Sequence, residues 1–286
     1  MIRRLPPTLL ALACFGLGCV VGIWLQHRWP VGRWRTPQIP PPKLAPFSVT
    51  ELARIPTSRR LVIVAAGQSN AGNYVAERAS AGPGVYVFSD GAVFSAIDPL
   101  PGGDNHAGSI WTRLGPRLLA TGNYDAVIFA VVAVGSTRAR DWAPGGVHHD
   151  RLRRTLRDLA GSGLPPDFIL WQQGESEAWD PAESGRDYLA SLRAIQDSCR
   201  QDAPTALWLI ARSTWGQGIA RNAQITTAQA LAALAPGTAP GPNLDLLGAE
   251  YRSDGVHFRA HGAEIAALHW FEALQPWLNQ RHSSGP

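Results

Sequence analysis

Cysteine is scarce, with three in 286 residues. That excludes a scaffold built on disulfides. Cys14 and Cys19 fall in an apolar N-terminal run, which leaves Cys199 alone beyond it. Charge is sparse too, at 17% of residues against 45% apolar. This is the balance of a chain that buries a core, and not of a disordered one. The length suits one large domain behind a short leader. The net charge of +4 and a pI near 9.3 suggest a polyanion partner. However, six of the 26 basic side chains (Arg3, Arg4, Arg28, Arg33, Arg35 and Lys43) lie in residues 1–43, which hold no acidic residue. The other 20 face all 22 acidic residues, a net of −2. A nucleic-acid surface needs clustered positive charge, so the main domain offers none.

One long apolar run is present. Arg3 and Arg4 precede an uncharged stretch from Leu5 to Gln26. A hydrocarbon core of ~30 Å takes about 20 helical residues, so the stretch is long enough to span. It exceeds the usual h-region of a cleaved signal, about 7–15 residues. An uncleaved signal anchor is the favoured reading. A cleaved signal peptide (Ala11-Leu12-Ala13) and a lipoprotein (Gly18-Cys19) are the alternatives. Arg28, Arg33 and Arg35 flank the far side about as heavily as Arg3 and Arg4 flank the near side. The expected arrangement has a cytoplasmic N-terminus and a periplasmic or extracytoplasmic domain, secreted if the leader is cleaved. Residues 1–29 thus read as anchor or signal. Residues 30–47, with IPPPKLAP, read as an extended proline-rich tether. Residues 48–286 read as one domain with no internal repeat.

Within that domain, LVIVAA (61–66), VYVF (85–88), AVIFAVVAV (126–134), FILWQ (168–172) and ALWLIA (206–211) read as buried strands. Helices are expected over 109–121, 150–161, 183–201, 219–234 and 260–279. The alternation predicts an α/β fold, a three-layer α/β/α sandwich around a central parallel sheet. Ligands in such folds bind at the carboxyl ends of the strands.

The residues that follow the strands are the candidates. Gly67-Gln68-Ser69-Asn70 follows the first strand. Ser69 on a tight strand-to-helix turn reads equally as a nucleophile beside helix N–H groups or as a helix cap. It is not a G-x-S-x-G elbow, because residue 71 is alanine. Gly135-Ser136-Thr137 follows the third strand and offers a close backbone approach or a plain turn. Gln173-Gly174-Glu175-Ser176-Glu177 follows the fourth. Its Gln173 amide can donate to an oxyanion, and Ser176 is a rival serine better suited to capping. Asp254 and His257 stand three apart before the last helix. An unactivated serine needs a base, and that base needs an orienting carboxylate. A single loop can supply both.

The blocks Gly67-Gln68-Ser69-Asn70, Trp171-Gln172-Gln173-Gly174-Glu175 and Asp254-Gly255-Val256-His257-Phe258 resemble those of the SGNH (GDSL-like) hydrolases. The branch is that of sialate O-acetylesterases and carbohydrate esterase family six acetylxylan esterases. The resemblance covers roughly residues 60–275 and implies a flavodoxin-like fold. It implies Ser69 as nucleophile, His257 as base and Asp254 as its orienter. It places the oxyanion hole at the Ser69 and Gly135 amides and the Gln173 side chain, with Gln68, Asn70 and Glu175 in support. Relatives often read G-G-T in the second block, where this chain has Ser136.

Arg138, Trp142 and Trp179 are candidate substrate contacts, Arg138 for an anionic sugar and the tryptophans for stacking. Loop arginines are solvated by default. His148, His149 and Asp150, or His257 with His261, lack a metal-site pattern, since Phe258 stands where a zinc helix needs glutamate. No metal or organic cofactor is expected. The resemblance implies removal of O-acetyl groups from a carbohydrate through an acyl-serine. The alternatives are an acyltransferase on an exported polysaccharide, or a non-catalytic carbohydrate-binding protein.

Overall fold

The computed structural model describes residues 47–180, 182–216 and 221–283. The apolar leader, and all of the tether before residue 47, lie outside the described residues. Among these no helix is long and apolar enough to cross a membrane.

Seven strands form one sheet: β1 (Arg60–Gly67), β2 (Val85–Ser89), β3 (Ala92–Ser95), β4 (Ala126–Ala133), β5 (Phe168–Gln172), β6 (Leu207–Arg212) and β7 (Thr238–Asn243). Their order is β3-β2-β4-β1-β5-β6-β7. All neighbours pair in parallel except β2 and β3, which are antiparallel. The sheet is therefore parallel as expected, apart from the one antiparallel strand β3 at its edge. The helices are α1 (Val49–Arg54), α2 (Trp111–Leu119), α3 (Ala139–Trp142), α4 (His149–Gly161), α5 (Glu175–Ala178), α6 (Gly185–Cys199), α7 (Ala223–Ala232) and α8 (Ala260–Ser283).

The period of two along β1 divides the core. Leu61, Ile63 and Ala65 pack with Leu114 and Leu118 of α2 and Ala263, Ala267 and Trp270 of α8. Val62, Val64 and Ala66 face the other way, toward Leu152 and Leu156 of α4, Leu192 and Ile195 of α6 and Ile225 of α7. Three layers result, with β1 central and buried along its length. Since β1, β4 and β5 run side by side in parallel, the turns after Gly67, Ala133 and Gln172 open at one edge of the sheet.

Candidate active site

β1 ends at Gly67, whose φ of +143° is a conformation that favours glycine. A Cβ there would also collide with the Gln172 carbonyl oxygen. Glycine thus lets the chain turn sharply against β5. Ser69 follows on a single 3-10 turn, Ser69–Ala71, and is buried. Its N–H opens the turn and has no intrahelical acceptor. The Trp111 indole pins the turn from below, donating to the Ala71 carbonyl at 2.7 Å.

Gln68 braces the third block. Its Oε1 accepts from Gln173 Nε2 (3.1 Å), Gly174 N–H (3.3 Å) and Ser176 N–H (3.2 Å). Asn70 ties three segments, donating to Glu175 Oε1 at 2.9 Å and to the Val256 carbonyl at 3.3 Å. Glu175 is fully buried and also accepts from Ser213 Oγ at 2.8 Å. Burial pushes its pKa up against these hydrogen bonds.

His257 sits on a short loop closed at its base by a bridge between Arg252 and Phe258. Asp254 Oδ1 accepts the N–H groups of Val256 (2.9 Å) and His257 (2.7 Å), and Oδ2 lies 2.6 Å from His257 Nδ1. Burial raises the Asp254 pKa, but the hydrogen bonds from the His257 N–H, the His257 ring and the Val256 N–H outweigh it. The net shift is downward. An ionised Asp254 fixes the proton on Nδ1 and leaves Nε2 as an acceptor. Arg252, buried, supports the loop by donating to the Leu247 (3.0 Å), Leu244 (3.2 Å) and Val256 carbonyls. Burial lowers its pKa to about 10. Asn70 on Val256 and the Tyr74 ring 4.7 Å from the His257 ring dock this loop beside the Ser69 turn. Among the described residues Ser69 and His257 share no hydrogen bond; such bonds often form only with substrate.

The oxyanion donors expected from sequence need revision. Gln173 is fully buried, and its amide donates to Gln68 Oε1, the Thr137 carbonyl (3.0 Å) and Glu177 Oε2 (2.5 Å). Its N–H groups are spent in the core because Glu177 and Thr137 reach it from behind the sheet edge. The Gly135 N–H donates to Asp104 Oδ2 at 2.8 Å. Two of the three donors are therefore engaged. Among the described residues the N–H groups of Ser69 and Ser136 have no protein acceptor. Ser136 adopts φ +62°, a left-handed conformation that favours glycine.

Other candidates separate cleanly. Trp142 is 0% exposed, its indole donating to Thr137 Oγ1 at 2.9 Å and its ring packed edge-on to Trp171. It is a core residue and does not stack on ligand, because α3 turns it inward. Trp179 is 44% exposed just beyond α5. Arg138 is committed to Asp180 (2.6 Å) and Glu183 (3.3 Å). Ser176 lies inside α5, whose cap position is Gly174, so it caps nothing. His148 packs on Trp142, while His149 Nε2 meets Ser198 Oγ at 3.0 Å. Among the described residues no group of three His, Cys, Asp or Glu side chains is arranged to hold a metal ion. Tyr74, Asp104, Ser213 and Arg252 were missed from sequence. Only the Gly102-Gly103 pair before Asp104 signals a close backbone approach there.

No family model matches the chain, and no curated protein does. Solved structures do. NanS is 15% identical with a TM-score of 0.57, covering 78% of this chain and 98% of its own. A carbohydrate acetylesterase from Xanthomonas citri is 12% identical with a TM-score of 0.54, covering 77% and 57%. A candidate GDSL-like lipase from Parabacteroides merdae is 13% identical with a TM-score of 0.53, covering 77% and 98%. Likeness at these identities establishes the fold. It is the α/β/α fold of the GDSL-like hydrolases, the one that the sequence blocks led us to expect.

Proposed function

We propose that this chain is a serine esterase that removes O-acetyl groups from a carbohydrate. The observation that carries the reading is the Asp254–His257 pair, held at 2.6 Å on a loop that Asn70 and Tyr74 dock beside the Ser69 turn. Ser69 Oγ attacks the acetyl carbonyl as His257 Nε2 takes its proton. Asp254 holds the imidazole and stabilises the imidazolium. Negative charge on the carbonyl oxygen meets the free N–H of Ser69, with the Ser136 N–H on the neighbouring turn. The tetrahedral species collapses as His257 returns the proton to the departing sugar hydroxyl. Water then repeats the sequence on the acetyl-serine.

The carbohydrate preference is supported by the third sequence block and by a structural neighbour that is a carbohydrate acetylesterase. Trp179, exposed beside the third block, is the remaining aromatic candidate for a sugar face. Acetate release from acetylated oligosaccharides and from an aryl acetate, with Ser69→Ala as control, tests this. Turnover that depends on Ser69 and prefers the oligosaccharide supports it. A burst of acyl-enzyme that turns over only with added sugar acceptor would replace hydrolysis by transfer, and a folded chain that no ester acylates would leave a binding protein. The sequence of the leader further supports tethering outside the cytoplasm. Release of the protein from membranes by alkaline extraction would overturn that tether.

A further inference from the structure

We propose that Asp104 and Tyr74 are a positioning pair of this site, coupling the orientation of His257 to the Gly135 turn; the inference rests on the esterase reading above. Asp104 Oδ2 accepts two hydrogen bonds, from the Tyr74 hydroxyl and from the Gly135 N–H, each at 2.8 Å. The Tyr74 ring lies 4.7 Å from the His257 ring at 30°. Asp254 fixes the imidazole at its Nδ1 edge, and one in-plane bond leaves the ring free to tilt. A ring packed on its face removes that freedom. The Tyr74 hydroxyl, anchored on a carboxylate, keeps the supporting ring in place.

The chain fixes Asp104 with care. Buried Asn73 donates to the Leu100 (2.9 Å) and Gly103 (3.1 Å) carbonyls and accepts from the Leu100 N–H (2.8 Å). The Asp104 N–H bonds the Ala133 carbonyl at 3.1 Å. A Cβ at Gly102 would strike the Val131 carbonyl oxygen, and one at Gly135 would strike the Tyr74 hydroxyl. The two glycines therefore permit the close approach that delivers this carboxylate to the end of β4. Asp104 Oδ1 is buried without a partner, a cost accepted for what Oδ2 does. With its N–H held, Gly135 serves as a fixed joint of the site, and an oxyanion is left to other donors.

The test follows aryl acetate hydrolysis by the full-length chain. Tyr74→Phe removes only the hydroxyl and keeps the ring, so kcat is expected to fall about tenfold with KM within about twofold. Asp104→Ala should do the same. The double variant should be no slower than the slower single, because both break one linkage. Asp104→Asn retains an acceptor oxygen and should return kcat to within about threefold of the parent. If Asp104→Ala does not fold, Tyr74→Phe made in the parent and in Asp104→Asn supplies the cycle. Unchanged kcat in Tyr74→Phe, additive losses in the double, or an Asp104→Asn enzyme faster than the parent would overturn the pair. With Ser69→Ala inactive, those outcomes leave the esterase reading standing. Turnover that survives Ser69→Ala would overturn both.

Discussion

Glu177 offers the sharpest test of the buried polar network under the site. It is 1% exposed, and its two oxygens accept the Ala139 N–H and Gln173 Nε2, each at 2.5 Å. Burial pushes its pKa up from 4.5 to about 7, against those two hydrogen bonds. The folded state therefore holds a proton that the unfolded chain has released. Between pH 4.5 and 7 the native state binds more protons than the unfolded one, so stability falls as pH rises. Integrating the linkage between those two values gives a loss of about 2 kcal/mol from pH 5 to pH 7.5. Glu177→Gln removes the titration. Its amide must face one of the two N–H donors, so the variant should be less stable at pH 5 by about 1–3 kcal/mol. Urea unfolding at pH 5 and pH 7.5 measures both effects, and the difference between the two proteins isolates Glu177 from other titrating groups. A pH slope as steep in Glu177→Gln as in the parent would show that Glu177 is not the group that titrates.

Four further substitutions separate core from site. Trp142→Ala should cost about 3–5 kcal/mol in thermal or urea unfolding, because it empties a fully buried position. Trp179→Ala should leave stability within about 0.5 kcal/mol and raise KM for an acetylated oligosaccharide but not for an aryl acetate. Equal KM changes on both substrates would count against sugar stacking. Gly174→Ala places a Cβ against Gln229 and the Ser213 carbonyl oxygen at φ +149°, and soluble folded protein is not expected from it. Asn70→Ala leaves Glu175 Oε1 with Ser213 alone and the Val256 carbonyl with Arg252 alone. It should lower kcat and cost about 1–3 kcal/mol, read by turnover and unfolding on the same preparation.

Five strands are legible in the sequence, most plainly those buried on both faces: β1, β4 and β5 read as unbroken apolar runs. The two missed strands lie at the sheet edges. β7 is Thr-Ala-Pro-Gly-Pro-Asn, and prolines tolerated on an edge hide it from any hydrophobic pattern. β3 was detectable: Asp90-Gly91, at φ +49° and +76°, is a hairpin turn between VYVFS and AVFS. Asp254 and His257 were legible because one loop holds both. Gln173 and Trp142 were misjudged because sequence places a residue after a strand but does not say whether it turns in or out. Tyr74 and Asp104 meet from two loops 30 residues apart, with β2 and β3 between them, and no period points to their pairing.

Covalent labelling reports on whether Ser69 is the nucleophile. The full-length chain would be treated with an aryl organophosphonate, and the modified peptide located by mass spectrometry. One adduct is expected on Ser69, lost in Ser69→Ala and formed far more slowly in His257→Ala. A label on Ser176 or another residue, or a folded protein that takes no label while still releasing acetate, would contradict it.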